Sequence, residues 1–400
     1  MPPERLRLLL GAFGDPGHAF PMIALGRTLV ARGHDVTLQT WARWRAPAEA
    51  EGMRFAPSPE YHVFPTLERP LPPYQAVVRA TKETRALVAK VRPHVVVADI
   101  LTLAPALAAE LEKVTVATLI PHIDPRSAPG TPVFSIGARA PRTPAGRALW
   151  NAAHSITVRG LELGRRELNE TRARLGLAPL AHVHGGISQD LCLVATFPQL
   201  EYPRAWPQST HVIGPLLWEP PALDVEPPPG DGPLVLVAPS TSQDRELRLL
   251  RAALDGLGEL PVRVLATAVP TGAEPPLPVP PGARLAEWVS YAGAMPRCDV
   301  VVCHAGHGTV ARALASGCVV VGVPAGGDMS EVAARAEWAG VGVRVPRRLC
   351  NPTAVRLAVQ RALATPRLRA RAGELAAWAA GNDPGARAAA LIERLASHRA

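Results

Sequence analysis

The stretch Gly214–Gly232, GPLLWEPPALDVEPPPGDG, constrains the architecture more than any other part of this chain. Proline fixes φ and removes the backbone donor, so a run holding Pro220, Pro221 and Pro227–Pro229 cannot continue as helix or sheet interior. It behaves as a semi-rigid spacer. The same rhythm runs on both sides of it. Before it, short apolar runs alternate with helical patterns. After it, the alternation starts again. That pattern predicts two separate α/β units, each with a parallel sheet. A length of 400 residues agrees, since one hydrophobic core rarely grows that far.

In the first unit, Leu6–Leu10, Asp35–Thr40, Val95–Ala98 and Val114–Ile120 read as strands. Continuous apolar runs of this length suit strands buried on both faces. Met22, Leu25 and Leu29 recur at helical spacing up to Gly33, and a long helical pattern covers about 144–175. In the second unit the strands are Leu234–Ala238, Val262–Ala266, Ala283–Glu287, Val300–Cys303, Val319–Val323 and Val343–Val345. Helices are expected over Asp244–Gly256, His307–Ser316 and Ser330–Ala339. Three more follow over Pro352–Ala364, Pro366–Ala380 and Pro384–Ser397, each with proline in or beside its first turn. The expected layout is 1–213, a linker at 214–232, a second domain at 233–380 and a closing helical segment at 381–400, which could pack back on the first domain. Two doubly wound sheets of this kind face each other across a cleft, and ligands bind at the carboxyl ends of the strands. The loops after the strands should therefore carry the chemistry.

Composition narrows the class. No apolar run approaches the ~20 residues of a membrane helix, and Gly11 follows the first apolar run without a cleavage signature. A cytoplasmic protein is expected. The net charge is +9, yet only Lys82, Lys90 and Lys113 are lysines among 43 basic residues, and aromatics total 4%. Scattered arginines without interleaved stacking residues argue against a nucleic-acid partner, although a basic balance favours an anionic small ligand. The five cysteines show no CxxC pair, so neither a disulfide framework nor a zinc site is suggested.

The richest local signal is CDVVVCHAGHGTVARALASGCVVVGVP, residues 298–324. A buried strand ends at Cys303 and a helix begins almost at once. Between them stand His304, Gly306, His307, Gly308 and Thr309. Glycines let the backbone approach a ligand. Unpaired N–H groups and the positive end of the helix dipole favour an anion there. This describes a metal-independent diphosphate site.

The segment resembles the donor-site signature of the family 1 glycosyltransferases of GT-B fold, and the bacterial natural-product tailoring branch above all. The matching elements are His304-Ala305-Gly306-His307-Gly308-Thr309, then Val323-Pro324, then Gly327-Asp328-Met329, with Trp288-Val289-Ser290 ahead of them and Gly214-Pro215-Leu216-Leu217 at the linker. The resemblance implies a cytoplasmic enzyme that moves a sugar from a nucleoside diphosphate, on dTDP or UDP, to a small lipophilic acceptor. It implies no cofactor and no metal, no nucleic acid, no stable membrane insertion, and a monomer or homodimer. Gly17-His18-Ala19-Phe20-Pro21 resembles the family element whose histidine is the base. An imidazole with a pKa near 6.5 suits that task, and Asp99, at the end of Val95–Ala98, is the carboxylate expected to orient it. Ser240 and Thr241 are expected on the donor phosphates, Trp288 and Val289 at the base, and Asp328 and Met329 at the sugar. Phe20 and His122 are expected at the acceptor.

Two departures stand out. Ser290-Tyr291 replaces the usual Pro-Gln, and Met329 with Val332 replaces residues that usually grip sugar hydroxyls. A thioether and an isopropyl group cannot do that, so a deoxygenated sugar is expected. Two other classes remain open from sequence alone: a nucleotide-sugar epimerase of the same architecture, and a nucleotide-sugar-binding protein without turnover.

Overall fold

The structure, a computed structural model, describes residues 5–58, 75–222, 224–239, 246–267, 277 and 279–397. The first half runs β1 (Arg7–Gly11), α1 (Pro16–Ala31), β2 (Asp35–Thr40), α2 (Arg45–Ala50), β3 (Arg54–Pro57), α3 (Gln75–Val91), β4 (Val95–Asp99), α4 (Leu103–Leu111), β5 (Thr115–Ile120), α5 (Pro144–Arg174), β6 (Cys192–Val194) and β7 (Thr210–Val212). The second runs β8 (Leu234–Ala238), α6 (Arg248–Leu257), β9 (Arg263–Thr267), β10 (Ala283–Ala286), α7 (Tyr291–Ala294), β11 (Val300–Cys303), α8 (His307–Ala315), β12 (Val319–Gly322), α9 (Asp328–Trp338), β13 (Gly342–Arg344), α10 (Pro352–Ala364), α11 (Pro366–Ala380) and α12 (Pro384–Ser397).

Each half builds one parallel sheet. The orders are β3-β2-β1-β4-β5-β6-β7 and β10-β9-β8-β11-β12-β13. In both, the order reverses at one place: between β1 and β4, where Leu8 pairs with Val95, and between β8 and β11, where Val235 pairs with Val300. Those two crevices are where doubly wound sheets bind ligands. Among the described residues, the 214–232 stretch forms neither helix nor strand.

The central strands are buried on both faces, so Leu8, Leu9 and Leu10, Val95–Val97 and Val300–Val302 are all inaccessible. Side chains from one face of the first sheet join α1 and α12 in one core, which also takes in Leu216 and Trp218 of the linker. The last helix thus packs on the first domain after the chain has left the second. Ala388, Ala389 and Ile392 are fully buried there, and Glu393 clamps Arg32 through two bonds of 2.7 Å and accepts from His34 at 2.9 Å. The second core likewise crosses between domains. Ile123, Phe197 and Leu200 come from the first domain and pack with Val310, Leu314, Val332 and Leu375.

The two passages of the chain between domains touch. Gly214 has φ +106, a conformation that side-chain-bearing residues rarely adopt. A Cβ there would meet the Trp378 ring at 3.0 Å and Pro384 at 3.3 Å. Trp378 also faces Phe197, with ring centroids 5.6 Å apart.

Several strands and helices were not expected from pattern. β6 and β7 have three residues each, too few for periodicity to register. β3 is a half-exposed edge strand ending in Pro57, which edge positions tolerate.

Candidate active site

The reversal in the first sheet gathers the turn after β1 and the end of β4. Asp99 closes β4 with its side chain fully buried. Its two oxygens accept from the backbone N–H groups of Phe13 at 3.0 Å and Leu101 at 3.2 Å. The same oxygens lie 2.9 and 3.0 Å from His18 Nδ1. A carboxylate only accepts, so Nδ1 carries the proton and donates, which leaves the Nε2 lone pair free on the other edge of the ring. Burial favours the neutral imidazole. The charge of Asp99 and its hydrogen bond outweigh that, so the His18 pKa stands above 6.5.

His122 follows β5, and its ring meets His18 edge-on at 5.8 Å. Its Nδ1 donates to the Ile123 carbonyl at 2.7 Å, so its Nε2 is also an acceptor. Burial first, and then the neighbouring His18, push its pKa down. Asp328, at the first position of α9 in the second domain, acts electrostatically on both rings. A carboxylate of the second domain thus acts on the His18 site.

Sequence reasoning missed the aromatic surround. Phe13 stands edge-on to His18 at 6.0 Å and to Trp41 at 5.1 Å, and Phe134 stacks beside His122 at 6.4 Å. Arg43 lies 4.8 Å from the centre of Trp41. The signal was available: Phe13 and Trp41 stand within two residues of the carboxyl ends of β1 and β2, where the switch-point rule puts ligand contacts. The loop bearing Phe134 continues to the second domain, where the Gly137 carbonyl accepts from Arg344 and Arg139 pairs with Glu337 at 3.7 Å.

Phe20 takes a different place from the one expected. It packs between Trp44 and Trp218, at 5.1 Å from each, against the first core. Two residues along a helix turn the side chain by about 200°, so Phe20 cannot share the face of His18.

In the second domain, His304 lies where β11 ends, with Nδ1 at 3.4 Å from the carbonyl of Ala238 at the end of β8. Gly306 precedes α8 without a side-chain cap, so the first N–H groups of the helix are open to a ligand. Gly308 is exposed and Thr309 half-exposed in that first turn. His307 departs from expectation. Its ring is buried, with Nε2 2.9 Å from the Thr196 hydroxyl of the first domain, and burial drives its pKa down to about 3. The ring is a neutral contact between the domains. Ser240 and Thr241 lie outside the described residues.

Trp288 is 54% exposed just beyond β10, a free indole face. The side chain of Val289 is buried in the second core. Ser290 caps α7 by accepting from Gly293 N–H at 3.1 Å, and it donates to Glu219 of the linker at 2.6 Å. That accounts for serine at this position. Met329 is half-buried against the second core. Val332 is wholly inside that core, so it cannot face a sugar, and the deoxysugar argument rests on Met329 alone. All five cysteines are buried and none forms a disulfide, and burial raises the Cys303 thiol to about 12.

Residues 251–393 match the C-terminal domain of the erythromycin biosynthesis protein CIII-like family. Over 97% of its length the chain is 28% identical to 4'-demethylrebeccamycin synthase of Lentzea aerocolonigenes, covering 99% of that protein. It is also 28% identical to O-mycaminosyltylonolide 6-deoxyallosyltransferase of Streptomyces fradiae, with 98% of each covered. Among solved structures, the glycosyltransferase of kitacinnamycin superposes with a TM-score of 0.77 at 20% identity, covering 98% of this chain and 99% of that one. The calicheamicin glycosyltransferase gives 0.74 at 19%, covering 99% and 100%. The chain is a glycosyltransferase of GT-B fold. None of the relatives reported for this glycosyltransferase is named as an epimerase, and one is named as a deoxyallosyltransferase, so the epimerase reading is not favoured. Among its described residues, no helix is long and apolar enough to cross a membrane.

Proposed function

We propose that this glycosyltransferase moves a deoxysugar from a nucleoside diphosphate, dTDP before UDP, to a hydroxyl of a small lipophilic acceptor, with inversion. The observation that carries the proposal is the His18–Asp99 pair at the switch point of the first sheet. Nε2 of His18 removes the acceptor proton while the oxygen attacks the anomeric carbon. Buried Asp99 holds the tautomer and stabilises the imidazolium that forms. The acceptor lies among Phe13, Trp41, His122 and Phe134, a wall that suits an apolar, flat molecule. Departing diphosphate charge meets the open N-terminus of α8, with Gly306, Gly308 and Thr309, while Trp288 offers a stacking face to the base.

Met329 supports the choice of sugar. A site built on a thioether forgoes a hydroxyl contact, whereas a polar site would reject its absence. A relative named as a 6-deoxyallosyltransferase, and a structural neighbour solved with dTDP, are consistent with this. The test is His18→Ala. Turnover should fall ~10²–10⁴-fold, the range for a positioned base, with dTDP affinity unchanged. Turnover close to that of the unsubstituted enzyme on a hydroxyl acceptor would exclude His18 as the base.

A further inference from the structure

His307 occupies the first turn of the helix that faces the donor phosphates, yet its ring points into the other domain. Its Nε2 sits 2.9 Å from Thr196 Oγ1, and both groups are buried. Thr196 follows β6, and Phe197 beside it packs into the second core. The Pro121 carbonyl lies against the same ring and favours its proton. Pro121 directly precedes His122, which meets His18 at 5.8 Å. One imidazole thus links the start of α8 to the ends of β5 and β6, beside the base. A buried polar ring of this kind is costly unless bonded. An apolar side chain would have filled the same seam at lower risk.

We propose that His307 is a positioning residue: its bond to Thr196 fixes the amino end of α8 relative to His18, so that leaving-group charge and acceptor hydroxyl are held in line. The proposal rests on the glycosyl-transfer reading for its rate measurements alone. A misplacement of about 1 Å between reacting groups can cost ~10²-fold in rate. Loss of the bond should therefore appear in turnover and not in nucleotide affinity.

The experiment compares His307→Ala, His307→Gln, Thr196→Val and the Ala/Val double variant. Thr196→Val is close to isosteric and removes the bond without opening a cavity. Three measurements are made on each: kcat and KM for a dTDP-deoxysugar with a panel of phenols, dTDP affinity by calorimetry, and hydrogen exchange at residues 195–200 and 307–312. We expect His307→Ala and Thr196→Val each to lower kcat at least tenfold, with dTDP affinity within threefold of the unsubstituted enzyme. Exchange should rise in both segments. The double variant should be no worse than the poorer single variant, and His307→Gln should recover most of the rate, because its amide reaches the position of Nε2. If His307→Ala weakens dTDP as much as it lowers kcat, the residue is a phosphate ligand and the proposal fails. Additive single effects, or unchanged exchange, also overturn it. Failure of the parent reading looks different: the unsubstituted enzyme would itself turn over no donor, while the exchange and affinity arms would still score the bond.

Discussion

Asp99→Asn isolates the electrostatic part of the site, because it removes a charge and leaves the shape. Both Asp99 oxygens accept from backbone N–H groups, Phe13 at 3.0 Å and Leu101 at 3.2 Å, and both approach His18 Nδ1. An asparagine must turn its NH₂ toward one of those donors. The longer Leu101 contact yields more easily, and the buried conflict costs about 1–3 kcal/mol of stability. With a weaker acceptor beside Nδ1, the neutral ring loses its preference for the tautomer that leaves Nε2 free. Turnover should fall ~10²–10⁴-fold, or about 3–5 kcal/mol of transition-state stabilisation. The pH profile supplies an independent sign. With Asp99 in place the His18 pKa stands above 6.5, so the base is lost as pH falls through a value above 6.5. In the variant burial is opposed only by the charges of Asp15 and Asp328, and the acid limb of kcat/KM should move to lower pH even as the plateau drops. The assay is kcat/KM from pH 5 to 9 with a fixed donor and phenol. A full plateau, or an acid limb that stays in place, would refute the pairing.

Gly308→Val should abolish dTDP binding with the fold intact, since a Cβ there meets no protein atom within 4 Å while added side-chain atoms would crowd the proposed phosphate approach; calorimetry beside a melting curve separates the two effects, and normal binding would remove α8 from the phosphate site. Met329→Gln should shift the kcat/KM ratio between a dTDP-deoxysugar and UDP-glucose toward glucose by roughly tenfold, about 1 kcal/mol or more; an unchanged ratio would mean that Met329 does not face the sugar. Glu393→Ala should destabilise the protein by about 1–3 kcal/mol, because buried His34 loses its partner and Arg32 its paired acceptor. The Glu393 carboxyl is held below its ordinary pKa, first by its bond to Arg32. Its contribution is thus complete at neutral pH and lost as pH falls through that lowered value, so variant and parent melting temperatures should converge in acid.

The two sheets were legible because a parallel strand buried on both faces is written as an unbroken apolar run, as in Leu234–Ala238 and Val300–Cys303. The sequence puts His18 in the turn of helix behind the first strand and Asp99 at the end of an apolar run, and the reversal of strand order is what brings the two side chains into contact. Phe20 stands two places after His18 in sequence, but its angle on α1 turns it to Trp44 and Trp218 instead. His307 could not have been placed from the chain alone. A ring at a helix start points wherever the best partner lies, and Thr196 is 111 residues away in sequence. Val332 shows the same limit: its register on α9 decides between cleft and core, and only packing sets that register.

The contact of Gly214, Trp378 and Pro384 has a mechanical meaning. Two covalent crossings that meet at one point tie the halves together there, while the shared second core and the His307–Thr196 bond hold them elsewhere. Trp378 also bears on Phe197, so one indole joins both crossings to the first domain. A side chain at 214 would press on that indole and on Pro384 at once, and would disturb how the halves meet.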